Sequence, residues 1–554
     1  MKLKTIAALL ALGSFAAPAA AQPPRQAPRL IVAIAVDQLS SDLFNQYRQH
    51  FTGGLRRLSE GVAFPAGYQG HSATETCPGH STILTGARPE RTGIIANNWF
   101  DLGAGREDKN IYCAEDPRVP GSTHERYTVS SYHLRVPTLG DLMRRSDPRS
   151  RSVAVAGKDR AAVMMGGHNP NQRWWRGGDQ FVSHAGVAAS PAVAAVNRDL
   201  RTLIARPSAP LAQVPLCEAR SRSVPIVGSR NPQQVGSGRL ARAAGDADWF
   251  QATPDYDAAV LRLALALREE MRLGQGRAPD LLAVGLSATD YVGHRYGTQG
   301  AEMCLQLLTL DRLLGDFFAA LDASGVDYTV VLTADHGGLD VPERARQQGA
   351  PDAARIEAQL NPRRMSEALA ARLGLQGTVL FGEGAFGDMY VARTLSARDR
   401  ERVMAEALSA YRRHPQVAAV FTRAEILAAP PPAGPPDSWS LLQRARASFD
   451  AQRSGDFVVL LRPQTTPIAE PGPTYVATHG SPWDYDRQVP ILFWRRGLTG
   501  FEQPLPVETA DIMPTLAALI GLRIDPASID GRCLDLFEGP ESSCQAPPRP
   551  RPRR

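Results

Sequence analysis

The feature that most constrains this chain is a set of short, unbroken apolar runs that each stop at a polar side chain. LIVAIAV, Leu30 to Val36, ends in Asp37. Ser152 to Ala156 leads into Gly157-Lys158-Asp159-Arg160, and Leu281 to Leu286 leads into Ser287-Ala288-Thr289-Asp290. Tyr328 to Leu332 runs on through Asp335 and His336 to two glycines. Pro490 to Trp494 is a fifth run. Such runs have the profile of strands buried on both faces. Helical patterns lie between them, at Asp257 to Leu273, Glu302 to Leu321 and Ile512 to Leu522. Strands alternating with helices predict an α/β fold built on a doubly covered, mostly parallel central sheet.

At 554 residues the chain is longer than one small core needs. Residues 1–21 start basic, continue apolar and close on Ala19-Ala20-Ala21, the pattern of a secretory signal peptide too short to span a membrane. Residues 30–340 and 473–540 read as the α/β core, with an insertion near 167–249. Residues 341–472 read as an inserted accessory or cap region, and 545–554 as a disordered Pro/Arg tail. Both insertions are expected over the rim of the sheet. The formal charge of +6 owes much to Lys2, Lys4 and the arginines of that tail. The folded body is then nearly neutral, which argues against a nucleic-acid partner. An exported, periplasmic or secreted protein with no transmembrane segment is expected. The six cysteines form an even set and allow up to three disulfides. Cys533 with Cys544 is the clearest pair, and the other pairings stay open.

The polar groups at the strand ends carry the chemistry. Asp290 and His294 are four apart, which puts them on one face if the chain turns helical there. Asp335 and His336 adjoin, and His479 stands in a glycine-bounded loop. Each has an ordinary reading: Asp37 as a helix cap, a lone histidine as a hydrogen-bonded one. Together with Asp37, these aspartates and histidines can supply two metal sites, and their nitrogen content favours zinc over calcium or magnesium. Thr76 stands ahead of Pro78, so it belongs near a helix amino end where an anion is favoured. It reads as a nucleophile or as an N-cap, with Ser72 and Thr74 as rival hydroxyls. Lys158 and Arg160 are two apart, and on an extended segment would point the same way.

These residues resemble the alkaline phosphatase superfamily, and most closely its bacterial monoesterase branch with a threonine nucleophile. The likeness rests on Asp37, Thr74-Glu75-Thr76-Cys77-Pro78-Gly79-His80, Asn97-Asn98-Trp99-Phe100 and Gly157-Lys158-Asp159-Arg160. It continues through Asp290 with His294, Ala334-Asp335-His336-Gly337 and Thr478-His479-Gly480. The resemblance implies one zinc held by Asp290, His294 and His479. It implies a second held by Asp37, Asp335 and His336, with Thr76 as the fourth ligand and nucleophile. Asn97, Lys158 and Arg160 would contact the substrate phosphate, with Asn98 a rival to Asn97. The implied protein is a monomeric alkaline phosphatase with two Zn2+ ions. It hydrolyses small phosphate monoesters through a phosphothreonine and releases inorganic phosphate. Charge closes on this reading: three aspartates and a threonine alkoxide balance two zinc ions, and Lys158 with Arg160 balances a dianionic monoester. The alternatives are a phosphodiesterase or nucleotide pyrophosphatase of the same superfamily, a sulfatase, or a non-catalytic zinc- or anion-binding protein. A diester carries one charge fewer and gains less from two cations. The arginine that a sulfatase needs after its C-x-P is missing at Cys77-Pro78.

Overall fold

The computed structural model describes residues 26–537 and 540–545. The signal peptide expected at residues 1–21 lies outside the described residues, as does the tail from residue 546. Ten strands form the central sheet. In chain order they are β1 (Leu30–Val36), β2 (Val62–Tyr68), β3 (Ser152–Ala156), β4 (Gln172–Gly177) and β5 (Gln180–Val182). There follow β6 (Asp280–Leu286), β7 (Tyr328–Thr333), β8 (Gln488–Arg495), β9 (Phe501–Glu502) and β10 (Val507–Glu508). They lie in the order β9-β2-β8-β7-β1-β6-β3-β4-β5, with β10 beside β2. The middle, from β7 to β4, is parallel, and β8 and β5 run antiparallel to their inner neighbours. The expected α/β class with a mostly parallel, doubly covered sheet is borne out.

β1 shows why its sequence has no polar residue. Leu30, Val32, Ile34 and Val36 join one core with helices Pro254–Glu270 and Ala301–Ala323. Ile31, Ala33 and Ala35 point the other way, into a second core with helix Ile512–Leu519. A polar side chain on either face would be buried without a partner. Register then sets the rim. Val36 pairs with Leu286, Ala35 with Thr333, and Gly285 with Ala156. The carboxyl ends of β1, β3, β6 and β7 are therefore level, and the residues that follow them meet.

Two strands escape a reading by apolar runs. β2 contains Pro65 and Gly67, and its ladder with β8 shifts register between Val489 and Ile491. That irregularity is what lets proline sit in a sheet. Residues 167–249, expected over the rim, begin instead with β4 and β5 at the sheet margin. β4 reads QRWWRG, and its two arginines remove the apolar run that marks the inner strands. Helix Pro191–Ala205 follows and sends Val193, Val196, Leu200 and Ile204 into the first core.

A second sheet joins Leu380–Phe381, Gly387–Val391, Phe457–Leu461 and Val417–Thr422. It has its own core, shared with helices Pro362–Leu373 and Ala397–Arg413. Disulfides join Cys77–Cys113, Cys217–Cys304 and Cys533–Cys544, the last being the pair the sequence favours. No helix among the described residues is long and apolar enough to cross a membrane. Ile34→Ala, at the centre of β1, is expected to cost about 2–5 kcal/mol, seen as a lower midpoint in urea unfolding.

Candidate active site

The turns after the level strand ends deliver the polar groups. Asp37 follows β1, its N–H donating to Leu286 O at 2.8 Å. Three helices start at the same rim: α1 (Thr76–Ile83), α2 (Asp159–Gly166) and α3 (Ala288–Tyr296). Asp290 and His294 lie one turn apart on α3, with His294 Nε2 at 3.2 Å from Asp290 Oδ1. His479 Nε2 reaches the same oxygen at 3.4 Å. Asp335 and His336 follow β7, with His336 Nε2 at 3.2 Å from Asp335 Oδ2. α1 lies against this strand end only because residue 79 is glycine. A Cβ there would stand 2.0 Å from the Asp335 carbonyl oxygen.

The histidine rings are pre-set for ligation. Each Nδ1 faces a backbone carbonyl at 2.8 Å: His294 that of Ala477, His336 that of Gly337, and His479 that of Thr74. Nδ1 then carries the proton, and the Nε2 lone pair is left for the cluster. Among the described residues, two groups of donors lie close enough to share an ion, Asp290 with His336 and His479, and Asp37 with His80 and Asp335. This grouping differs from the expected one. The His336 ring stacks on that of His479 at 3.5 Å, and His294 stands further off at 5.1 Å from His479. His80 was absent from the sequence expectation. Its signal was its place four residues after Thr76, on the same face of α1.

Asp37, Asp290 and Asp335 are all fully buried, so the cluster needs positive charge. Lys158 Nζ lies 3.0 Å from Asp37 Oδ2 and 2.5 Å from Asp290 Oδ2. His80 bridges Asp37 Oδ1 at 3.3 Å and Asp335 Oδ2 at 3.2 Å. Burial alone would lower the His80 pKa, but the charges of Asp335 and Asp37 override it and raise it to about 10. Burial would likewise raise the Asp290 carboxyl, yet His294 and Lys158 hold it well below the usual range. His479 is pushed down to about 4, first by burial and then by the charge of His336. A neutral imidazole is the form that binds a metal.

Lys158 and Arg160 do not share an extended segment. Lys158 is the extended N-cap of α2, and Arg160 sits in its first turn. Helical geometry turns the two apart: Lys158 enters the carboxylates while Arg160 lines a cavity of about 460 Å³. Asn97, His294, Phe386, Tyr475 and His479 also line it. The three hydroxyls separate clearly. Thr74 Oγ1 donates to Ser481 O, and Ser72 Oγ pairs with Ser448 Oγ. Thr76 Oγ1 is buried without a hydrogen-bond partner. Thr76 is the first residue of α1, and Glu75 takes the N-cap position.

Both carboxylate oxygens of Asp37, Asp335 Oδ2, His336 Nε2 and Thr76 Oγ1 are buried without a well-directed hydrogen bond. Such orphaned oxygen and imidazole donors fit a divalent metal, and their mixture suits zinc.

The pattern of the type I phosphodiesterase / nucleotide pyrophosphatase family matches residues 31–482. Alkaline phosphatase PhoK of a Sphingomonas species is 55% identical over 522 residues, covering 93% of this chain and 92% of that protein. Alkaline phosphatase PhoD of Zymomonas mobilis is 48% identical over 526 residues, covering 94% and 90%. The crystal structure of wild-type alkaline phosphatase PafA superposes with a TM-score of 0.78 at 23% identity, covering 92% of this chain and 99% of that one. That last likeness speaks to the fold.

Gly79→Ala must drive α1 away from Asp335. A lower thermal midpoint and lost uptake of divalent metal are expected, read by scanning calorimetry and elemental analysis.

Proposed function

The chain belongs to the type I phosphodiesterase / nucleotide pyrophosphatase family, and from that premise we propose that it is an exported alkaline phosphatase that hydrolyses phosphate monoesters through a phosphothreonine. The observation that carries this reading is the orphaned Thr76 hydroxyl, buried at the start of α1 one turn from His80, which touches Asp37 and Asp335. Two relatives that bear the name alkaline phosphatase match nearly end to end and support the monoester assignment.

The ligand sets are those the resemblance implies: Asp37, Asp335, His336 and Thr76 would hold one zinc ion, and Asp290, His294 and His479 the other. In their support, His336 Nε2 adjoins Asp335 and His294 Nε2 adjoins Asp290, at 3.2 Å each. His80 would remain a partner of Asp37 and Asp335 beside the first ion. When bound, the ions supply Lewis-acid charge that favours the Thr76 alkoxide and neutralises the leaving oxygen. Thr76 Oγ1 bonds to phosphorus as the ester P–O bond breaks, and the proton it gives up passes through solvent to the departing alcohol oxygen. Water then cleaves the phosphothreonine, releasing inorganic phosphate and restoring the hydroxyl. Arg160 and Asn97, both on the cavity wall, donate to the non-bridging oxygens, where transition-state charge gathers. Lys158 reaches phosphate only once Asp37 and Asp290 exchange its ammonium for metal charge. The region 341–472 acts as a cap, since Phe386, Tyr390 and Phe449 from it wall the cavity. Three disulfides and the basic, apolar leader at residues 1–21 support export.

A phosphodiesterase or nucleotide pyrophosphatase is the second reading, favoured by the family's own description. Turnover of an aryl phosphate monoester, diester and sulfate separates the readings, and a preference for the diester would overturn ours. Thr76→Ala is expected to lower kcat by roughly 10⁴ or more and to abolish trapping of phosphoenzyme, with bound zinc only partly reduced. Normal turnover in that variant would remove Thr76 from the mechanism. Arg160→Ala is expected to lose about a hundredfold in monoester kcat/KM and less with the diester. Chelation should silence the enzyme and zinc should restore it.

A further inference from the structure

Three hydrogen bonds converge on Asn97, and two of them come from the half-cystines of one disulfide. Cys77 N–H donates to Asn97 Oδ1 at 2.8 Å, and Cys113 N–H donates to the Asn97 carbonyl at 2.9 Å. Asn97 N–H in turn donates to Glu75 Oε2 at 2.7 Å. Glu75 and Cys77 flank Thr76 on either side. Cys113 follows Asn110–Tyr112, a strand paired antiparallel with Asn98–Phe100. The sulfur bridge therefore ties the first turn of α1 to the hairpin that carries Asn97. With Oδ1 turned to the Cys77 N–H, the Nδ2 group is the donor that Asn97 offers to the cavity it lines.

We propose that the Cys77–Cys113 disulfide is a positioning element for phosphate recognition: it holds Asn97 against the Thr76 turn so that the amide stands ready as a donor to a non-bridging oxygen. The proposal rests on the reading of Thr76 as nucleophile and of the cavity as a monoester site. Both cysteines have no solvent exposure, so small reductants do not reach the bond in the folded protein. It is then a fixed part of the site and not a redox switch. A bridge that served stability alone would act the same whether or not residue 97 had an amide. A positioning bridge acts only through that amide.

The test is a cycle of wild type, Cys77→Ala/Cys113→Ala, Asn97→Ala and the combined variant, each checked for zinc content. The readouts are kcat/KM on an aryl phosphate and the inhibition constant of inorganic phosphate. Removing the bridge is expected to lower kcat/KM about tenfold when Asn97 is present. With Asn97 already replaced, the further loss should be under about twofold, because the two sites act as one. Phosphate inhibition should weaken in parallel, while the thermal midpoint falls alike in both backgrounds. Equal fold losses in the two backgrounds overturn the proposal. Should the alanine pair not fold, Cys77→Val/Cys113→Ala refills the sulfur volume and carries the same comparison. If neither folds, the bridge belongs to the fold and the proposal fails. Absence of monoesterase turnover in wild type would sink the functional reading instead. Calorimetric binding of inorganic phosphate across the four proteins would still decide whether the bridge acts through Asn97.

Discussion

Three carboxylates with almost no solvent contact meet at one rim of the sheet, and the site is arranged around their charge. Removing an ion from water costs several kcal/mol unless a partner compensates it. For Asp37, Asp290 and Asp335 the chain supplies Lys158 and His80, each touching two of the three. That arrangement still leaves Asp37 and Asp335 oxygens and the Thr76 hydroxyl without well-directed partners. Three separate backbone carbonyls, of Ala477, Gly337 and Thr74, receive the histidine Nδ1 protons and turn the Nε2 lone pairs toward the cluster. The cluster is thus poised for cations, and its cost is borne by the surrounding core.

That core is what makes the rim possible. Strands buried on both faces cannot bear polar groups along their length, so chemistry is confined to the residues just after them. Level register between β1, β3, β6 and β7 then converts four separate chain positions into one site. The second sheet contributes no carboxylate to either donor group, but its Tyr390 and the adjoining Phe386 wall the cavity. The cavity is in this way walled by both parts of the chain, the core supplying Asn97, Arg160, His294 and His479 and the inserted region supplying Phe386 and Tyr390.

Much of the fold was legible because the inner strands announce themselves. β1, β3, β6 and β7 were readable from apolar runs, and the helices Pro254–Glu270 and Ala301–Ala323 from their stripes. β2 and β4 were not, since proline, glycine and arginine there are tolerated through a bulge and a marginal position that no local pattern encodes. The superfamily resemblance read from the motifs is borne out by the family match and the named relatives. Within the site, His80 has no ligand role in the sequence reading, because a helical histidine near no strand end signals a contact only through its spacing of four from Thr76. Lys158 and Arg160 were placed on one extended segment, whereas α2 begins between them and separates their directions.

Sequence by itself determined the class of fold, the strand ends that matter and the kinds of atom offered there. It did so because apolar periodicity and donor chemistry are local properties of the chain. Tertiary structure alone decided which donors face one another, that His336 lies against His479, that His80 joins Asp37 and Asp335, and that Thr76 rather than Thr74 or Ser72 has a free hydroxyl. It alone paired Cys77 with Cys113 around Asn97. Those facts depend on strand register and on the close approach allowed at Gly79, contacts between residues far apart in the chain, which no local pattern can specify.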